Sequence, residues 1–116
     1  MNSEIFIRGE IWLVDLNTTR RSEQSGIKPA LIISDNNFNH SPAELIIVLP
    51  ITSKNKNIPL HIEILPPEGG LLQISYVKCE DIKSISKERF IKCLGKVSTK
   101  ILLEIEYKMK LLLSFN

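Results

Sequence analysis

The chain has 116 residues, 43% of them hydrophobic and 24% charged, with a formal net charge of +2. That length holds one domain, 1–116, whose core can be buried without disulfides or metal, and the composition excludes a disordered chain. No apolar run reaches the roughly 18 residues of a membrane span, and the opening MNSEIFIRGE is too acidic and too short in apolar residues for a signal peptide, so a cytoplasmic protein with no membrane partner is expected.

The predicted elements are mostly strands. EIWLVDL (10–16) alternates around Trp12, Val14 and Leu16, whereas ALIIS (30–34) and ELIIVLPI (44–51) are continuous β-branched and leucine runs, the pattern of strands covered on both faces. Between them DNNFNHSPAE (35–44) predicts a loop with a helical turn. LHIEIL (60–65) sets Leu60, Ile62 and Ile64 on one side. LLQISYVKC (71–79) follows the turn cluster Pro66, Pro67, Gly69 and Gly70, which reads as a hairpin connection. SKER (86–89) predicts a second helical turn, and a sixth, short strand is expected around FIKCLGKV (90–97). Strands at this spacing, with Gly, Pro and Asn at the joints, predict an antiparallel barrel or curled sheet. The period then changes. Ser98 or Thr99 caps a helix running through residue 114, with Ile101, Ile105, Met109 and Leu112 recurring three to four positions apart. Leu102, Leu103, Leu111 and Leu113 widen the apolar surface, as expected where a partner subunit covers part of the helix.

Cys79 and Cys93 have neither CxxC nor Cys/His spacing, so no structural zinc site or redox pair is suggested, and reduced thiols in or near the core are expected. Esterase, zinc hydrolase and nucleotide-binding readings lose support because no nucleophile elbow, HExxH, P-loop or dinucleotide glycine pattern is present. His61 alternates with apolar residues and reads as a partly buried structural imidazole; His40, in a loop, reads as surface. Positive charge is unevenly spread. Lys78 to Lys96 contains six basic residues against three acidic ones, and Arg20, Arg21, Lys28, Lys54 and Lys56 form a second basic set. Brought together they would hold a phosphodiester backbone; left apart they only solvate the surface.

The stretch RSEQSGIKPALIIS (21–34) sharpens that choice. Gly26 permits a tight turn and Pro29 fixes the entry to the strand, which sets Lys28 at the mouth of a sheet, with Glu23 and Gln24 in the same loop. Thr52, Ser53 and Lys54 follow the other buried strand. If the two strands are antiparallel, Lys28 and Thr52 share one edge, where an ammonium and a hydroxyl can grip a phosphate and stabilise the added charge of a pentacoordinate transition state.

RGEIWLVDL (8–16), SEQSGIKPALIIS (22–34), VLPITS (48–53), HIEI (61–64), and CEDIKSISKERF with LGKVS (79–98) together resemble MazF/PemK-type toxins of bacterial toxin–antitoxin pairs, in order and over nearly the whole chain. The resemblance implies a mainly β (α+β) fold, a small SH3-like antiparallel barrel of the PemK/CcdB-like kind with a C-terminal amphipathic helix, usually a homodimer. It further implies an endoribonuclease that needs no metal or other cofactor, cuts single-stranded RNA at short motifs, and is inhibited by a cognate antitoxin whose disordered tail lies over the RNA groove. The family's glycine-x-arginine-proline word stands here as Gly26–Ile27–Lys28–Pro29, so Lys28 occupies the catalytic arginine position. Thr52 matches the threonine that joins it and Glu23 the loop glutamate; Lys78 and Glu80 match the basic and acidic positions of PemK-like members, with Asp81 next. The implied catalytic set is then Lys28, Thr52, Glu23 and Glu80, and the RNA-binding set Arg20, Arg21, Gln24, Ser53, Lys54, Lys56, Lys78 and Asp81. The same barrel family includes gyrase-poisoning toxins that cleave nothing and use an aromatic near the end of the last helix, a role Phe115 could fill; an inactive, antitoxin-titrating homologue is the other alternative.

Overall fold

The computed structural model describes residues 4–17 and 26–115. In chain order these form β1 (Glu10–Asp15), β2 (Ile27–Ile32), the short α1 (Asn36–Asn39), β3 (Leu45–Thr52), β4 (His61–Ile64), β5 (Ser75–Lys78), β6 (Lys83–Ser86), β7 (Phe90–Lys96) and α2 (Thr99–Leu113). Single 3-10 turns cover Glu68–Gly70 and Lys87–Arg89. The strands build one antiparallel sheet in the order β4-β5-β3-β2-β1-β7, with β6 on the other half of the long strand β3. Among the described residues β4 and β7 remain unpaired ends, so the expected barrel is a curled open sheet rather than a closed cylinder.

β1, β2 and β3 are apolar at successive positions because the sheet is buried on both faces. Ile11, Leu31, Leu49 and Ile51 point to one side, where Ile62, Ile64, Val77, Ile101 and Ile105 complete a core under α2. Trp12, Val14, Ala30, Ile32 and Val48 point to the other and meet Phe6, Ile46, Ile85 and Phe90. In this second core the rings of Phe6, Trp12 and Phe90 pack with centroids 4.8 to 5.9 Å apart, in tilted and edge-on arrangements that suit aromatic quadrupoles.

α2 starts where its cap predicts: the Ser98 hydroxyl accepts a hydrogen bond from the Ile101 amide, satisfying one of the free N–H groups of the first turn. Ile101 and Ile105 are buried and Met109 packs partly against the same core, but Leu112, expected on that stripe, is exposed. No helix among the described residues is long and apolar enough to cross a membrane.

Three expectations need correction. The segment 71–79 is not strand throughout; Leu71 to Ile74 form an irregular lip, and pairing with β4 begins at Ser75. The short strand β6, KSIS, carries one buried apolar residue, Ile85, too few for its rhythm to show in sequence. Cys79 is buried as expected, whereas Cys93 lies on the exposed side of β7.

Candidate active site

A groove of about 490 Å³ opens at the edge of the sheet where β2 begins and β3 ends. Its position follows from register. Ala30 faces Pro50 and Leu31 faces Leu49, so the same pairing carried back along β2 sets Lys28 opposite Thr52. Both residues line the groove. Beyond Thr52 the chain turns sharply, the threonine Oγ1 accepting from the Lys54 amide at 3.1 Å, and the turn brings Ser53, Lys54 and Lys56 onto the same rim.

β5 supplies the next cation. Its pairing with β3, Ile51 to Val77 and Thr52 to Tyr76, delivers Lys78 to the groove wall with a side chain only 11% exposed. The Lys78 Nζ lies 3.4 Å from Asp81 Oδ2, and Lys83 reaches the other oxygen at 3.3 Å. A nearly buried ammonium is tolerable here because a carboxylate sits beside it. Glu80 turns elsewhere. Its Oε2 is 2.9 Å from His61 Nε2, and that imidazole, with a side chain 4% exposed, leaves Nδ1 buried without a hydrogen-bond partner among the described residues. An ionised carboxylate can only accept, so Nε2, the ring nitrogen facing Glu80, carries a proton.

The floor is apolar. Leu13, Pro29 and Ile51 form a row across β1, β2 and β3, set by the pairing of Leu13 with Pro29, and Leu71 and Leu94 close it from the far side. Among the described residues the lining thus holds four lysines (Lys28, Lys54, Lys56 and Lys78), the hydroxyls of Thr52, Ser53 and Ser75, the amide of Gln73, and no carboxylate or imidazole. Such a lining suits a polyanion and can stabilise charge that develops on phosphoryl oxygens. Neither thiol offers a nucleophile. Burial, with Glu80 adding to it, pushes Cys79 up to about 11, and burial followed by Glu10 also raises Cys93.

The structure therefore brings Lys28, Thr52, Ser53, Lys54, Lys56 and Lys78 together, places Asp81 behind Lys78, and turns Glu80 toward His61. Arg20, Arg21, Glu23 and Gln24 lie outside the described residues. Sequence reasoning missed the apolar floor and the lip, Leu13, Leu71, Leu72, Gln73 and Leu94. Leu13 carried a signal, since it breaks the alternation of Trp12 and Val14 with an apolar residue on the opposite face; the lip was hidden inside an apparent strand.

Comparison with known proteins fits this arrangement. A family model described as PemK-like, MazF-like toxin of type II toxin-antitoxin system matches residues 7–113. The endoribonuclease MazF9 of Mycobacterium tuberculosis is 33% identical over 109 residues, covering 90% of this chain and 92% of that protein. Among solved structures, MazF from Deinococcus radiodurans superposes with a TM-score of 0.82 at 22% identity, over 97% of this chain and 99% of that one. An endoribonuclease in complex with its cognate antitoxin from a mycobacterial species gives 0.76 at 23% identity, over 100% and 98%.

Proposed function

The chain belongs to the PemK-like, MazF-like toxins of type II toxin–antitoxin systems, and from that premise we propose that it cuts single-stranded RNA by transesterification in the lysine-lined groove. It is a MazF-type endoribonuclease. The observation that carries the mechanism is the cross-strand placement of Lys28 and Thr52 at one edge, above an apolar floor.

The ribose 2′-hydroxyl attacks the adjacent phosphorus while a base takes its proton. The phosphorus passes through a pentacoordinate state, the bond to the 5′-oxygen breaks, that oxygen takes up a proton, and the products are a 2′,3′-cyclic phosphate and a 5′-hydroxyl. Lys28 and Thr52 hold the non-bridging oxygens, where charge grows. Lys54, Lys56 and Lys78 follow the backbone, with Ser53 beside them; Arg20, Arg21 and Gln24, the other expected RNA contacts, lie outside the described residues. The two candidate bases are Glu23, five positions before Lys28 in sequence, and Glu80, whose carboxylate faces His61. Nothing in this scheme calls for a metal ion.

A cognate antitoxin covering the groove is the protein partner this reading expects, as a related endoribonuclease is held in complex with one. The exposed stripe of Leu103, Tyr107 and Leu111 on α2 supports a homodimer, so light scattering should give a mass of two chains at micromolar concentration; a strict monomer would remove that expectation. Cleavage itself is tested by incubating purified protein with total cellular RNA in EDTA and mapping new 5′-hydroxyl ends. A discrete set of ends sharing a short motif is expected. No new ends would transfer the chain to the non-catalytic branch of the fold, either a gyrase-binding or an antitoxin-titrating homologue.

A further inference from the structure

We propose that Leu72 and Gln73 form the base-reading lip of the groove, Leu72 lying against the face of one nucleobase and the Gln73 amide hydrogen-bonding a base edge. The inference rests on the RNA-cleaving reading above and adds which wall sets the sequence preference.

The groove is chemically two-sided. Lysines and hydroxyls come from the ends of β2, β3 and β5 and the turn after β3, whereas the lip contributes Leu71, Leu72 and Gln73, with Leu94 of β7 beside it, and no charge. A single strand laid in it puts its phosphates against the lysines, so its bases face the neutral lip. Proteins read single-stranded RNA by splaying bases out and meeting their faces and edges, while phosphate contacts fix register without carrying sequence information.

Leu72 is 95% exposed, the most exposed large apolar side chain among the described residues, although it lines the groove. Gln73 fixes its backbone, its carbonyl accepting from Ser75 Oγ at 2.9 Å, yet its side-chain amide makes no hydrogen bond among the described residues. The lip also stands on a rigid base. Leu71 is buried in the core, Gly70 has a φ of +78° and rests directly on the Leu94 backbone, and a Cβ on Gly95 would fall 2.7 Å from the Gly69 carbonyl carbon. A preorganised apolar surface beside a free amide is what base recognition needs.

The test compares the wild-type protein with Leu72→Ala, Gln73→Ala, Gln73→Glu and Lys54→Ala, mapping 5′-hydroxyl ends on total RNA in EDTA and measuring molar mass and thermal melting in parallel. Leu72→Ala and Gln73→Ala should relax the cut motif at one position and lower cleavage of the preferred site about tenfold relative to mismatched sites. Gln73→Glu should move preference at that position toward guanine, whose N1–H and N2–H both donate to a carboxylate. Lys54→Ala should slow every site alike and leave the motif unchanged. If both lip variants fold and cut with the wild-type motif, the proposal is overturned; a changed molar mass with an unchanged motif overturns it in favour of a contact between copies. A wild-type protein that produces no ends sinks the RNA-cleaving reading itself, an outcome separate from failure of the lip alone.

Discussion

Lys28 stands where the family resemblance places an arginine, and the difference is chemical. A guanidinium presents a planar fork to two phosphate oxygens and stays charged, whereas an ammonium is a compact point charge on a flexible stem. Lys28 is exposed at the mouth of the groove, at the start of β2. Lys78, by contrast, is nearly buried and anchored by Asp81. The groove thus combines an exposed cation and a nearly buried, paired one, and the exposed one adjoins Thr52. Lys28→Ala should lower the single-turnover cleavage rate at least ~100-fold, as expected for loss of transition-state charge stabilisation, with substrate affinity falling much less. Lys28→Arg should restore or exceed the wild-type rate. A Lys28→Ala protein that cuts at the normal rate would take the residue out of the mechanism and leave Lys78 and Thr52 to carry it.

At the scale of elements, what could be read from the chain was whatever had a repeating pattern. β1, β2, β3 and α2 are long, and their burial is regular, so apolar rhythm located them; the antiparallel pairing on which the shared edge of Lys28 and Thr52 depended comes from the register of β2 with β3. β6 has four residues and a single buried side chain, and its pairing with β3 is a long-range event with no local trace. Leu71 to Ile74 failed for a related reason: their composition suits a strand, but the close seat of Gly70 on Leu94 bends the chain out of pairing. The site divides the same way. Lys28, Thr52 and Lys78 were singled out by the family resemblance and line one groove, whereas Glu80, named with them, faces His61 of β4, a pairing with no local trace in the sequence. The seat of Gly70 gives its own prediction. Gly26 and Gly70 both have positive φ, but among the described residues nothing lies within 4 Å of a Cβ at Gly26, whereas a Cβ at Gly70 would overlap the Leu94 carbonyl. Gly26→Ala should therefore cost about 1–2 kcal/mol of backbone strain, and Gly70→Ala a further ~1–3 kcal/mol of overpacking. Chemical denaturation measures both, and equal losses would mean that the lip can shift without penalty.

For the molecule as a whole, a net charge of +2 gives little reason to expect strong binding to a polyanion. Placement outweighs the total, because four lysines share one groove while Glu106 pairs with Arg8 and Glu80 with His61 on other faces. Affinity for single-stranded nucleic acid should then follow the groove's local charge. Each phosphate neutralised on a single strand contributes about −0.7 to the slope of log affinity against log salt. Engagement of the groove lysines predicts a slope near −3, steeper if Arg20 and Arg21 join them. Fluorescence anisotropy with an oligoribonucleotide carrying a 2′-deoxy sugar at the cut position, which removes the attacking hydroxyl, measures the slope without turnover. Lys54→Ala should bring it to about −2, and Leu72→Ala should leave it unchanged, since a leucine displaces no counterion. A wild-type slope shallower than about −1 would show that these lysines stay solvated and that the polyanion does not lie in the groove.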